Sequence, residues 1–331
     1  MTKNTADDLT KFIPLKMKTY RVPGVSVALL EAGRRIWSRG FGVSDVETGL
    51  PVTQETVFEA ASLGKPLLAF AAINLCASNV MTLDTPLSHY MAGQPVSESP
   101  LLEQVTLRRV LSHTTGFPNW RPKRFSPKPG LLTINFAPGE KFSYSGEGFA
   151  YLQQVIEHLT GQSLHDFANN LFLPLLMPSS SYVWHESYQP HLARGHNKRA
   201  KPVPWNRFKE ANAAFSLYST PSDYASFVQQ VMQPGHSEML TPQASLTDEL
   251  SWGLGWGLWE QADKKSFWHW GDNGAYQSFV TASSAEGDGI VIMTNGQRGQ
   301  SLCRDVTAMM LGVPHPAFAW LEQNFYGAKL A

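Results

Sequence analysis

The chain reads as an α+β protein, and three features of its sequence predict that class: apolar alternation near the start, helical periodicity through the middle, and strand patterns again toward the end. From Pro23 onward Val25, Val27 and Leu29 alternate, Ala32-Gly33 supplies a turn, and Ile36-Trp37 leads into Gly40-Phe41-Gly42, as in a β-hairpin. Between Ser62 and about Gln233 the interval lengthens. Leu67, Leu68, Ala71, Ala72 and Leu75, then Phe149, Leu152, Val155, Ile156 and Leu159, recur at the spacing of buried helix faces. A proline-rich, basic loop is expected over 118–138. Strand signals return over 252–259, 266–270, 276–283 and 289–295, with Asp263-Lys264-Lys265 and Glu286-Gly287-Asp288-Gly289 as turn material, before a short helix over 302–311. Strands at both ends with helices between them predict one sheet assembled from the two ends of the chain, antiparallel where hairpins join neighbours. The expected division is a sheet lobe from 1–60 and 245–331 and a mainly helical lobe from 61–244, with the active site between them.

A chain of 331 residues that is 43% hydrophobic can bury a large core. Its 27 basic and 27 acidic residues cancel, which argues against a polyanionic partner such as nucleic acid. Cys76 and Cys303 both lie in apolar helical patterns and read as buried free thiols rather than a disulfide framework. The first twenty residues alternate lysines and acids with short apolar pieces, without the apolar centre of a signal peptide, and no stretch approaches a membrane-spanning run. A cytoplasmic location with no membrane partner is the expectation. His185, His191 and His196 lack the short helical spacing of a zinc site, and neither a Gly-x-Ser-x-Gly elbow nor a phosphate-binding glycine loop occurs, so no metal or other cofactor is expected.

The most informative stretch is Ser62-Leu63-Gly64-Lys65, the only Ser-x-x-Lys in the chain. On a helix, positions three apart share a face, so the Lys65 amine can reach the Ser62 hydroxyl. A serine hydroxyl becomes a useful nucleophile when an adjacent base, or an amine made neutral by burial, takes its proton. By itself the pair also fits a helix-capping serine followed by a solvated lysine. Pro66 removes an N–H just after the pair, so either the helix begins at Ser62 itself or the turn is strained.

The surrounding motifs add to this pair. Ser62-Leu63-Gly64-Lys65 preceded by Phe58-Glu59-Ala60-Ala61, then Leu111-Ser112-His113-Thr114-Thr115-Gly116, Phe142-Ser143-Tyr144-Ser145, Ser219-Thr220-Pro221-Ser222-Asp223 and His269-Trp270-Gly271 follow in order. Over 23–295 the chain thereby resembles the serine β-lactamase and penicillin-binding-protein superfamily, in its class C β-lactamase-like branch of esterases and D-amino-acid peptidases. The resemblance implies a β-lactamase/transpeptidase-like fold. It implies Ser62 as nucleophile, and Lys65 with Tyr144 as the groups that move protons, leaving open which of the two acts first. It also implies an oxyanion hole made by the backbone N–H groups of Ser62 and Asp272 on the final strand. His113 is expected to brace a loop.

Two departures bear on the substrate. The branch carries an asparagine two positions after the tyrosine, where this chain has Gly146. It carries Lys-Thr-Gly as its third motif, where this chain has His269, Trp270 and Gly271. Loss of the amide and of the fixed cation argues against β-lactam turnover and for a neutral carbonyl substrate, with His269 orienting it or donating a hydrogen bond and Trp270 filling space. Trp252, Trp256, Trp259 and Trp268, with Phe117 and Trp120, are candidates for an apolar pocket, Trp120 and one of the C-terminal tryptophans being the expected members. The reading is a serine hydrolase working through an acyl-enzyme on small esters. The alternatives are a D-amino-acid peptidase or weak β-lactamase acting on amides, and a silent binding protein that keeps the fold.

Overall fold

The computed structural model describes residues 5–91, 97–124, 126, 129–261 and 264–327. In chain order it contains α1 (Thr5–Tyr20), β1 (Gly24–Glu31), β2 (Arg34–Gly42), β3 (Phe58–Ala61), α2 (Gly64–Ala77), α3 (Leu107–Leu111), α4 (Gly146–Thr160), α5 (Leu164–Phe172), β4 (Leu217–Ser219) and α6 (Pro221–Val231). There follow β5 (Ala244–Ser245), β6 (Leu250–Trp252), β7 (Gly257–Gln261), β8 (Lys264–Asp272), β9 (Gln277–Ala282), β10 (Gly289–Thr294), α7 (Gly299–Leu311) and α8 (Ala317–Leu321). Eight strands form one antiparallel sheet in the order β2-β1-β10-β9-β8-β7-β6-β5, so the N-terminal hairpin docks on the last strand of the chain. This is the α+β architecture that the distribution of strands predicts.

The sheet is covered on both faces, which is why β1, β9 and β10 are buried along almost their whole length. Val25, Val27 and Leu29 face one layer with Ile290 and Ile292, while Ala28, Leu30, Val291 and Met293 face the other. That alternation is the period-two signature of a strand. The helical half packs on the second face around α2, an apolar helix buried from Gly64 through Ile73. On the first face lie α1, α7 and α8.

Four details differ from the sequence reading. The chain opens with a helix rather than a strand: Leu9, Ile13 and Met17, spaced four apart, form a buried stripe on α1, and Lys16 and Tyr20 tie it to Asp305 on α7. The stretch 252–259 is two strands, because Gly253 to Trp256 turns back on itself with Gly255 at φ +89°, a conformation that glycine adopts without penalty. β3 does not join the large sheet but pairs with β4 in a separate ribbon. Asp272 is not on the final strand: it ends β8, and β9 and β10 follow it. Lys264 and Lys265 begin β8, whereas Asp263 and parts of the 118–138 loop fall outside the described residues. Among the described residues no helix is long and apolar enough to cross a membrane.

Since α1 is held chiefly by its stripe, Ile13→Ala should lower unfolding free energy by about 2–5 kcal/mol. Urea denaturation followed by circular dichroism measures this.

Candidate active site

The strand β3 runs into α2 through a sharp turn. Ala61 sits there at φ +53°, in the left-handed region that costs a residue with a Cβ energy, so the turn is strained rather than a simple helix start. The helix proper begins at Gly64, and Pro66 falls in its first turn, where a missing N–H is tolerated. Several contacts hold this strained turn. Leu63 N–H and Ser278 Oγ donate to the Ala60 carbonyl, Tyr224 donates its hydroxyl to Leu63 O at 2.9 Å, and Tyr182 donates to Gly64 O at 2.6 Å. A Cβ on Gly64 would lie 2.7 Å from both the Ala213 carbonyl and the Tyr182 ring, so only glycine fits there.

Ser62, half-buried, is thereby presented beside a lysine that is 1% exposed. Lys65 Nζ lies 2.8 Å from Ser62 Oγ and 2.7 Å from the carbonyl of Ala214, which also accepts from Ser62 Oγ at 3.2 Å. Burial drives the Lys65 pKa well below that of an ordinary lysine. The same burial pushes the Tyr144 phenol up, against a smaller lowering effect of the Ser62 side chain, so Tyr144 keeps its proton. Its hydroxyl is buried near the Ser62 side chain, and Lys65 Nζ stands 4.9 Å from its ring centroid. Ser62, Lys65 and Tyr144 are therefore brought together in one place.

Tyr144 is fixed by His113. The His113 carbonyl accepts from Ser143 N–H at 2.8 Å, its Nδ1 accepts from Ser145 N–H at 3.0 Å, and its ring lies against that of Tyr144, 4.3 Å between centroids. Desolvation, with the Lys65 charge in second place, holds His113 well below the usual histidine range, as the acceptor role of Nδ1 requires.

The backbone donors have a geometric basis. Asn273 donates its N–H to Tyr276 O, so by the alternation of an antiparallel ladder the next pair, Asp272 and Gln277, is not hydrogen-bonded and the Asp272 amide points off the β9 side. On the opposite side β7 stops at Gly257, opposite Trp268, leaving that edge of β8 open beyond it. Among the described residues Ser62 N–H likewise donates to no backbone carbonyl. Gly271 lets β8 approach: a Cβ there would lie 2.3 Å from the Ala60 carbonyl and 2.4 Å from Ser278 Oγ.

A cleft of about 480 Å³ opens over these groups, lined by Ser62, Lys65, Tyr144, Asp272, the amides of Asn119, Asn206 and Asn273, and the rings of Trp120, Phe208, Phe215, Trp270, Phe325 and Tyr326. Trp120 and Trp270 both line it. Trp252, Trp256, Trp259 and Trp268 do not line the cleft; with Phe117 they are packed in the core. His269 does not line it either. It is fully buried, its Nδ1 donates to Trp270 O at 2.8 Å, and desolvation, then the Lys65 charge, lower its pKa to about 3, so it is a neutral core residue unable to orient a substrate. Gly146 is screened from the cleft because the Trp120 ring occupies the space of its side chain, 2.5 Å from a would-be Cβ. Gly271 takes part through its backbone spacing rather than by lining the cleft.

Other participants escape the sequence reading. Glu147, fully buried at the start of α4, accepts from Arg121 Nε at 2.9 Å and Nη2 at 2.6 Å and from the Arg121 backbone N–H, and so fastens the loop that carries Asn119 and Trp120. Glu59 lies within β3 and accepts from Asn273 Nδ2 at 2.9 Å and Asn206 Nδ2 at 3.4 Å. The signal for Glu59 was legible: a lone acid in the apolar quartet Phe58-Glu59-Ala60-Ala61.

A serine beside a buried amine, faced by a protonated tyrosine and by the free backbone donors of a sheet edge, is the constellation of the Ser-x-x-Lys hydrolases. The chain belongs to the Beta-lactamase family, whose model matches residues 9–313, and so to the serine β-lactamase and penicillin-binding-protein hydrolases. It is 25% identical over 328 residues to Penicillin-binding protein 4 of Amycolatopsis lactamdurans, covering 88% of this chain and 86% of that one. It is 23% identical to Protein flp of Staphylococcus aureus (strain N315), covering 89% of this chain but only 64% of that longer protein. Among solved structures, a class C beta-lactamase superposes with TM-score 0.80 at 22% identity, covering 94% of this chain and 95% of that one. D-alanine carboxypeptidase AmpC from Burkholderia cenocepacia superposes with TM-score 0.77 at 21% identity, covering 93% and 99%.

Burial raises the Glu59 pKa from 4.5 to about 7, against smaller lowering effects of the Asn273 and Asn206 amides. Its raised value means that the folded state holds a proton the unfolded chain has released, so stability is fully present below about pH 4.5 and is lost as pH rises toward 7. Glu59→Gln should remove roughly 3 kcal/mol of that decline, at about 1.4 kcal/mol per pKa unit. Thermal unfolding of both proteins between those pH values measures the converging or diverging midpoints.

Proposed function

We propose that the protein is an esterase that hydrolyses small, uncharged carboxylic esters through an acyl-enzyme on Ser62. The observation that carries this reading is the charge of the cleft. Its lining, among the described residues, contains no arginine or histidine, its one lysine is driven toward the neutral form, and its one acid is Asp272. A substrate carboxylate would meet no fixed cation there, whereas aryl and short alkyl groups would meet rings.

In this reading Lys65 is the first base, because it already touches Ser62 Oγ and burial favours its neutral form, while Tyr144 still carries its proton. Ser62 Oγ forms a bond to the ester carbonyl carbon as its proton passes to Lys65 Nζ. The resulting oxyanion sits at the N–H groups of Ser62 and Asp272. Collapse breaks the bond to the alkoxy oxygen, which takes a proton from Tyr144, and Lys65 restores that proton. Water then attacks the acyl-enzyme with the same two groups in reversed roles. D-alanine carboxypeptidase activity, named for one structural neighbour, is the second reading, and the three cleft amides are what favour it.

A fluorophosphonate should add one covalent adduct to the wild type and none to Ser62→Ala by intact mass. Hydrolysis of p-nitrophenyl butyrate should exceed that of nitrocefin and of D-alanyl amides by orders of magnitude. Dominance of the amides would move the assignment to the peptidase, and an unlabelled wild type without turnover would sink both. The pH profile provides a further check. An ordinary lysine would make kcat/KM climb with pH through about 10, whereas an amine held well below that by burial, beside a phenol pushed up by burial, predicts no rise there.

A further inference from the structure

The cleft is bordered on one side by the segment that follows α8. After α8 a π-helical turn, Glu322–Tyr326, carries Phe325 back across the site. Phe325 packs edge-on to Tyr144, 5.7 Å between centroids, and against Trp270 at 5.1 Å, while Trp320 supports it from behind at 5.4 Å. Beyond it lies a second cavity of about 480 Å³, bounded by Tyr144, Phe325, Ser143, Ser245 and Asn324. Tyr144 and Phe325 are the two residues common to both spaces, so their rings stand between them, and Phe325, 39% exposed, is the one without a part in proton transfer.

We propose that Phe325 is a specificity-determining partition that limits the size of the alcohol half of the substrate. The inference rests on the esterase reading, in which Tyr144 protonates the departing alkoxide. The leaving group then lies at the Tyr144 hydroxyl, and what continues past it meets Phe325. Acetyl esters of small alcohols fit the undivided side, whereas fused or extended aryl alcohols need the space behind the ring.

Acetyl esters of increasing alcohol size separate the possibilities, because they share one acetyl-enzyme and differ only in the group that leaves. Phe325→Ala should raise kcat/KM for 4-methylumbelliferyl acetate at least tenfold relative to phenyl acetate, measured against the same ratio in the wild type. Phe325→Tyr should keep the wild-type ratio. The ratio of p-nitrophenyl butyrate to p-nitrophenyl acetate should keep its wild-type value. An unchanged alcohol ratio in a folded Phe325→Ala that still labels with fluorophosphonate would overturn the partition while leaving the esterase reading intact. A shift of equal size in the acyl series would also overturn it. Loss of labelling in the wild type would instead fall on the esterase reading itself. Phe325→Leu, which keeps more of the packing on Trp320, gives the same comparison with an intermediate ratio should the alanine variant unfold.

Discussion

An amine with no carboxylate partner among the described residues, buried against a serine oxygen, sets the terms for the rest of the molecule. Lys65 makes its hydrogen bonds to Ser62 and to the Ala214 carbonyl, neither of which carries charge. Keeping it dry requires an apolar surround, and α2 supplies one, with Leu67, Leu68 and Ala69 buried on successive faces. Two imidazoles nearby, His113 and His269, are held neutral by the same desolvation, and a positive Lys65 would disfavour their protonation further. The buried polar centre therefore works with neutral donors and acceptors. Such a centre lowers stability in exchange for reactivity, a trade commonly found at sites of chemistry.

The two halves of the fold contribute different parts. The turn into α2, α2 itself and the segment before α4 bring the hydroxyl, the amine and the phenol, and the sheet brings a rigid backbone edge. Their spacing is set by atoms with no role in bond making: the absent Cβ of Gly271, the tyrosines that hold the carbonyls of Leu63 and Gly64, and His113, which grips the backbone on both sides of Tyr144 through its carbonyl and its imidazole. A loop rich in proline and arginine would ordinarily be mobile, yet Glu147 anchors it through a buried double contact with Arg121.

What could be read from the sequence follows from how local each feature is. Period-two alternation in β1 and the apolar interval of α2 and α4 depend on near neighbours, and both elements form where those patterns lie. Proximity of Ser62 and Lys65 is one turn of chain and was equally legible; their meeting with Tyr144 came through the motif resemblance. Orientation was not legible. His269 and Trp270 are adjacent on β8, so they point to opposite faces, and the sequence does not say which one reaches the cleft. The strand puts Trp270 in the lining and sends His269 inward. The four other C-terminal tryptophans carried the ambiguity of every strand aromatic, and packing placed them in the core. The N-terminal helix was hidden by Pro14 and by its lysines, although the stripe Leu9, Ile13 and Met17 was present. The return of Phe325 and Tyr326 across the site depends on a contact 181 residues away from Tyr144 along the chain, beyond the reach of any window.

Trp120 and Gly146 occupy one volume between them, and this couples their fates. An amide-bearing side chain at position 146 would collide with the indole, and a smaller residue at position 120 alone would leave a void beside a backbone with nothing to offer it. The clash runs one way, so a cleft able to grip an acylamino group through position 146 is reached only after position 120 has shrunk, and the indole fixes the order of the two changes.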